Sequence, residues 1–482
     1  MTTPRIDLLP IAPELVLVGM GIVVMLGAAL VRRPDPAALL ALSLAGIVGA
    51  AAVTLVLWGW HGPLTVLAGS VAVDRFGVVV RLILLAAAGL GLVLGYHSFA
   101  TAREERPEFP ALVLFATAGM TLIATAADLI VVFIALEILS LALYVLTGLS
   151  SRLGSAEGSM KYFLLGAFSS AFFLFGVAMA YGAAGSTRLA DVSAAVSGQT
   201  GNQALALTAI AFLAIGFAFK VSAVPFHMWT PDVYQGAPTA VTAFMSAATK
   251  VAAFAAFIRV FDVGFAPLAW DWTPIVWALA ALSVVVGSVL AIAQSDIKRL
   301  LAYSSIAHAG FVLTGLTAAG QAGMSAALYY LVAYAPTVLG AFGVVMLVSS
   351  VGREERTAIG SYAGLARRSP FLAGLLTIFL FSLAGIPPTA GFVAKVEVFS
   401  AAVSAGHWEL ALIGVIASVI AAAFYLRVVV VMFMQEPEAE LRPDEAFLPS
   451  LAVSLPAAAT LVLGIVPGIV TGVLETAAVL RW

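Results

Sequence analysis

The chain has 482 residues, of which 62% are hydrophobic and only 10% charged, with a formal net charge of −2. Soluble proteins carry about 25% charged residues, so this composition excludes an ordinary soluble domain and fits a membrane protein. There is no cysteine, which excludes disulfides, iron–sulfur ligation and thiolate metal sites within the chain.

A ~30 Å hydrocarbon core takes about 20 apolar residues to cross. Fourteen runs of about that length follow one another at 11–31, 37–58, 76–97, 110–126, 129–149, 160–184, 204–229, 238–262, 273–294, 297–317, 324–350, 370–396, 407–434 and 448–475. Helices satisfy their own backbone groups in lipid, so the expected fold is all-α, a polytopic membrane protein of about 14 transmembrane helices. The first run lacks an A-x-A type cleavage site after it and is read as a retained span. Runs four and five are nearly fused and part only around Asp128.

Loop charges orient the bundle. If Met1 lies outside, the inner loops hold Arg32, Arg33, Arg103, Arg106, Arg152, Lys298, Arg299, Arg353, Arg356, Arg367, Arg368 and Arg442. The outer side holds Arg5, Arg75, Arg81, Arg188, Arg259 and Arg481. The excess favours both termini outside.

Three pairs of stretches match each other. "YFLLGAFSSAFFLFGVAM" (162–179) resembles "YYLVAYAPTVLGAFGVVM" (329–346), and "YVLTGL" (144–149) matches "FVLTGL" (311–316) at the same offset. "GFAFKV" (216–221) matches "GFVAKV" (391–396). These pair span five with ten, six with eleven and seven with twelve. A repeat of five spans is odd, so the second copy is inverted in the membrane, a transporter design with sites near interrupted helices. The expected organisation is a three-helix segment (1–109), a first five-helix repeat (110–262), a second, inverted repeat (273–434), and an acidic loop with a last helix (435–482).

Lysine and arginine are distributed differently. Lys161, Lys220, Lys250 and Lys395 fall inside or at the edge of apolar spans, whereas nearly every arginine lies in a loop or at a span end, Arg427 excepted. Snorkelling to the interface accounts for Lys161 but not for Lys220 or Lys395, which lie too deep, and it strains for Lys250. A lysine at mid-membrane costs roughly 2.5–3.5 kcal/mol. Arginine never gives up its proton in practice, while a buried lysine can, so the pattern points to proton handling.

Glu137, alone in the middle of span five, is the natural counter-charge, acting either on a titrating lysine or as a structural ion pair. Pro225 and the "IPP" at Ile386–Pro388 interrupt the two lysine-bearing spans, and Pro336 is read as a break in span eleven. His227 follows Lys220 by two helical turns if the helix continues, and His308 lies inside span ten. Each histidine suits either a proton relay or a packing role. "SDIKRL" (295–300) is read as a cytoplasmic turn and anchor and "QEPEAELRPDEAF" (435–447) as a solvated acidic loop, and "GLGLVLG" lacks nucleotide-site spacing.

"KVSAVPFHMWTPDVYQGAPT", "QSDIKRLLAYSSIAHAGF" and "SLAGIPPTAGFVAK" resemble the signatures of the antiporter-like subunits of respiratory complex I, whose fold also serves multisubunit Mrp-type sodium/proton antiporters. The resemblance covers spans four to thirteen, with discontinuous helices in spans seven and twelve. Lys395 stands where the M-type usually has glutamate, and no long lateral helix of the L-type follows span fourteen, so the chain is similar to the N-type. The resemblance implies a proton path through Glu137, Lys220, Lys250 and Lys395, with Lys161, His227 and His308 also at family positions. It implies no cofactor in this chain, and NADH, FMN, iron–sulfur clusters and quinone in partner subunits. The implied neighbours are an M-type antiporter-like subunit, a small K-type subunit and lipid, with no nucleic acid. A cation/proton antiporter subunit and a purely structural scaffold are the alternatives; the scaffold leaves the buried lysines unexplained.

Overall fold

The computed structural model describes residues 7–198, 201–351, 354–436 and 443–480, so Arg5, Arg353, Arg442 and Arg481 of the charge count lie outside the described residues. The first half runs α1 (Ala12–Leu30), α2 (Pro36–Val56), the antiparallel pair β1 (Thr65–Val66) and β2 (Val71–Ala72), α3 (Arg75–Ala102), α4 (Phe109–Thr125), α5 (Leu129–Thr147), α6 (Leu153–Ala184), α7 (Leu189–Ser197), α8 (Gln203–Val221), α9 (Trp229–Gly236) and α10 (Thr239–Arg259). The second runs α11 (Ala269–Ile292), α12 (Ile297–Leu316), α13 (Gln321–Ser349), the pair β3 (Ser350–Val351) and β4 (Glu354–Glu355), α14 (Leu365–Arg368), α15 (Pro370–Ala384), α16 (Ala390–Ser404), α17 (Trp408–Met434), α18 (Phe447–Ile465) and α19 (Gly468–Ala477).

Among the described residues, eleven helices are long and apolar enough to cross a membrane, and Phe109–Thr125, Pro370–Ala384 and Gly468–Ala477 are shorter apolar helices. The chain is a multi-pass membrane protein. The two small β pairs and the surface helix α7 have no counterpart among the expected elements.

In so apolar a chain, several acids serve as helix caps. Asp74 accepts from Gly77 N at the start of α3, Asp128 from Ile130 N at α5 and Asp296 from Arg299 N at α12. Close packing rests on small residues: a Cβ on Gly310 would come within 2.7 Å of Val284 N, and one on Gly287 within 2.6 Å of Ala307 N. Both sit where α11 and α12 press together, as small residues allow in membranes. Every residue of α10 is buried and α13 is nearly so, while α5, α6, α11, α17 and α18 keep exposed apolar faces. The interior helices are therefore the ones that carry Lys250, Tyr330 and Tyr334.

Three expectations change here. Pro336 lies inside a continuous α13, so span eleven is not broken. The "GFxxKV" match does not mark equivalent places: Lys220 ends α8 before its break, whereas Lys395 lies in α16 after its break. Arg81 and Arg259 are not solvated end charges. Arg81 is bidentate to Glu14, at 2.9 Å to each oxygen, and Arg259 to Asp74 at 2.8 and 3.0 Å, both pairs buried. Arg427, within α17, donates to Ile292 O at the end of α11, where helix carbonyls lack partners.

Candidate functional site

Lys220 sits in the last turn of α8 and is 3% exposed. Its Nζ donates to Ser140 Oγ on α5 at 2.6 Å, and Ser140 gives its own proton to Leu136 O. The hydroxyl therefore presents a lone pair to the ammonium, which also lies 5.9 Å from the centroid of the Tyr144 ring. Glu137 is one turn before Ser140 and takes a hydrogen bond from Ser170 of α6. The expected Glu137–Lys220 ion pair is absent among the described residues; serine stands where the carboxylate was expected, because the Glu137 side chain points to the half-buried α5–α6 seam.

The α8 helix stops at Ser222, whose φ of 66° is left-handed, and resumes as α9 at Trp229. Val224 N donates to Ser283 Oγ of α11 at 2.9 Å, and Trp229 Nε1 closes back on Phe219 O at 3.0 Å. His227 lies in this break, half-buried, and its Nδ1 has no partner. The helix does not continue, so the two-turn spacing from Lys220 does not place it on the lysine's face.

Lys250, 2% exposed in the middle of α10, donates to the backbone carbonyl of Ser305 on α12. Ser305 Oγ and Tyr334 OH are 2.8 Å apart, and His308 Nδ1 meets Tyr330 OH at 2.6 Å. Tyr425 OH of α17 lies 3.5 Å from His308 Nε2 and bonds Ser304. Lys250 and His308 thus share one hydroxyl-rich cluster. Beside it a cavity of about 10 Å³, room for about one water, is lined by His308, Tyr330, Tyr334, Thr337 and Ser382.

Lys395, 4% exposed in α16, donates to Ala384 O at 2.8 Å and Ser418 Oγ at 3.1 Å, with its Nζ 4.7 Å from the Phe311 ring centroid. Ala384 ends α15, so its carbonyl is freed by the helix break. Gly385 makes that approach possible: its φ is +85°, and a Cβ there would meet Lys395 Cδ at 2.8 Å. Phe311 also lies 5.9 Å from His308, between the two groups.

Lys161 stands apart. It pairs with Glu157 at 2.7 Å and Asp232 at 2.8 Å, and Asp232 also holds Arg299 at 2.6 Å. This exposed cluster borders a crevice of about 350 Å³ lined by Arg152, Glu157, Lys161, Asp232 and Gln235. Within the "SDIKRL" turn Lys298 is fully buried, donating to Ala237 O at 2.6 Å and pairing with Glu355 at 3.0 Å, which also meets Arg152 at 2.9 Å. The acidic loop is docked at its end, Asp444 on His97 at 2.8 Å and Glu445 on Ser369; residues 437–442 of that loop lie outside the described residues.

Sequence reasoning missed the hydroxyls, namely Ser140, Ser418, Tyr330, Tyr334 and Tyr425. Their spacing held a signal: Ser140 is one turn from Glu137, and Tyr330 and Tyr334 are four apart on one face of α13.

Residues 126–421 match the family described as NADH:quinone oxidoreductase/Mrp antiporter, TM. A protein of Trichlorobacter lovleyi named NADH-quinone oxidoreductase subunit N is 43% identical over 470 residues, 96% of each chain. One of that name from Rhodococcus opacus is 52% identical over 365 residues, 74% of this chain and 67% of the relative. Among solved structures, a chain of respiratory complex I from Thermus thermophilus with bound aureothin superposes with a TM-score of 0.81 at 36% identity, covering 95% of this chain and 98% of that one. A chain of the Mrp complex from Dietzia sp. has a TM-score of 0.86 at 21% identity, covering 98% and 97%, a likeness of fold alone.

Proposed function

The chain belongs to the NADH-quinone oxidoreductase subunit N family, within the NADH:quinone oxidoreductase/Mrp antiporter group, and we propose that it is a non-redox, proton-translocating subunit of that complex. Protons move through the buried lysines while NADH oxidation and quinone reduction proceed in partner subunits, which hold FMN and the iron–sulfur clusters. The M-type and K-type subunits are its membrane neighbours in a bacterial inner membrane, with both termini outside.

One observation carries this reading. Lys220, Lys250 and Lys395 are each almost wholly buried, and each is held by neutral oxygens: Ser140 Oγ, Ser305 O, and Ala384 O with Ser418 Oγ. An ammonium without a carboxylate partner can release its proton and remain hydrogen-bonded as an amine. The buried arginines, which cannot do so, are instead paired with Glu14 and Asp74.

Counting α4, α12 and the α15–α16 pair as crossings beside the eleven long helices gives fourteen spans. Residues 110–262 and 273–434 then form inverted five-helix repeats, a reading supported by a broken helix in each, α8–α9 and α15–α16. A proton taken up at Lys220 passes to the Lys250–His308 cluster and leaves by Lys395, and the Glu137 charge, a turn from Ser140, biases the first step.

The test is Lys220→Ala in the assembled complex. Proton pumping should fall by at least tenfold, on the order of one catalytic proton relay, while the complex stays intact and co-purifies with its flavin and iron–sulfur proteins. Lys220→Arg should be nearly as damaging, since it keeps charge but not release. Normal pumping in an intact variant removes Lys220 from the path.

A further inference from the structure

Glu397 lies in α16, two residues beyond Lys395, and plays no part in the proton path above. Two residues turn a helix by about 200°, so its side chain leaves α16 on the face opposite Lys395. It is seven residues from Ser404, the end of α16, and hence about 10 Å below that end at ~1.5 Å per residue. The carboxylate thus lies midway along α16 and not at its end.

The other carboxylates at comparable positions are satisfied within the chain. Glu14 has Arg81, Asp74 has Arg259, and Glu137 has Ser170. Among the described residues, Glu397 makes no ion pair and no hydrogen bond. Tyr329 of α13 lies within electrostatic reach of it, but that phenol donates to Leu463 O of α18 at 2.8 Å. Glu397 is half-buried at the edge of an exposed stripe, Phe392, Val396 and Val403, where α16 packs on α18. An exposed apolar stripe is ordinary on a lipid-facing helix. A carboxylate at its seam is not, because charged groups at this depth pair with one another or face water.

We propose that the α16–α18 seam is an interface, covered by a transmembrane helix of a neighbouring membrane subunit that brings a lysine or arginine to Glu397. The proposal rests on the chain being one subunit of a membrane complex. Charge selects the occupant: an acyl chain leaves the carboxylate unpaired, whereas a cationic helix neutralises it and seals the seam with apolar contacts. Polar interhelical contacts of this kind are a recognised adhesive between membrane helices.

The assembled complex supplies the test, and the cysteine-free chain simplifies it. In Glu397→Cys, a lipid-soluble maleimide should label the new thiol at least tenfold faster after detergent separates the subunits than in the intact complex. In native electrophoresis, Glu397→Gln should retain about tenfold less of the neighbour, as loss of about 1.4 kcal/mol implies, and Glu397→Lys should retain essentially none. A Lys220→Ala complex that pumps normally sinks the proton-path reading but leaves these gels and labelling rates unchanged, so the two failures are distinguishable. Equal labelling of the Glu397→Cys variant in both states overturns the proposal, as does full retention of the neighbour by Glu397→Lys. Loss of pumping in a fully assembled Glu397→Gln complex would make the residue a proton carrier and overturn it too.

Discussion

Glu355→Gln should loosen one end of the bundle by an amount that its partners set. The carboxylate accepts from Thr239 N at 3.0 Å and Thr239 Oγ1 at 2.8 Å, and meets Lys298 and Arg152, so it joins the starts of α6, α10 and α12. Burial alone would raise its pKa, but Lys298, Arg152 and the two Thr239 donors outweigh burial and hold it at about 2, against an ordinary 4.5. That displacement corresponds to about 3 kcal/mol of stabilisation. Because the folded value is the lower one, the stabilisation is complete above about pH 4.5 and is lost as the pH falls toward 2. The amide variant leaves Lys298 buried without its carboxylate partner, a defect of about 3–5 kcal/mol. Hydrogen exchange at pH 7 over the first turn of α10 should then quicken by at least about a hundredfold, ~1.4 kcal/mol being a factor of ten. Adding Lys298→Met removes the stranded ammonium and should restore much of the protection. Unchanged exchange in Glu355→Gln, or a double variant worse than the single, refutes the reasoning.

The remaining predictions concern the proton path. Glu137→Gln should cut pumping several-fold in an intact complex and Glu137→Asp less, since only the amide removes the charge; equal losses argue against an electrostatic role. Single cysteines placed beside Lys220 and Lys395 should react with water-soluble reagents from opposite sides of the membrane, and reaction from one side only dismisses two separate half-sites.

How much of this was legible in the sequence depended on how local the cause was. Helix positions follow from the length of apolar runs, and the α4–α5 boundary from Asp128, which caps the helix it starts. The depth of Lys220, Lys250 and Lys395 follows from the oily residues on either side. Lys298 is the reverse of what its surroundings suggest, and Lys161 is not. Lys161, for which snorkelling sufficed, stands at an exposed edge beside Glu157 and Asp232. Lys298 lies in the polar run "SDIKRL", yet Glu355, brought from 57 residues away, allows it to be fully buried. Lys220 does reach the helix that carries Glu137, but which residue of α5 it meets depends on side-chain direction. A serine one turn further along takes the lysine instead.

The carbonyl partner of Lys395 also explains why its helix must break where it does. A continuous α15–α16 helix would commit the Ala384 carbonyl to an amide one turn later, and Lys395 would lose its 2.8 Å acceptor. The proline-rich "IPP" removes donors that would compete for it, and Gly385 admits the lysine stem to within van der Waals distance of the backbone. On the other half, the break after Ser222 lets Ser283 of α11 bond Val224 N, so a helix of the second half helps hold the Lys220 turn in place. Proline and glycine thus expose a neutral carbonyl at depth for Lys395, whereas Lys220 and Lys250 find their oxygens, Ser140 Oγ and Ser305 O, on the unbroken helices α5 and α12. Titratable lysines occupy these oxygen sites, and the fully buried Arg81 and Arg259 are held by the carboxylates of Glu14 and Asp74. The division follows from one chemical difference between the two cations: only lysine can give its proton away.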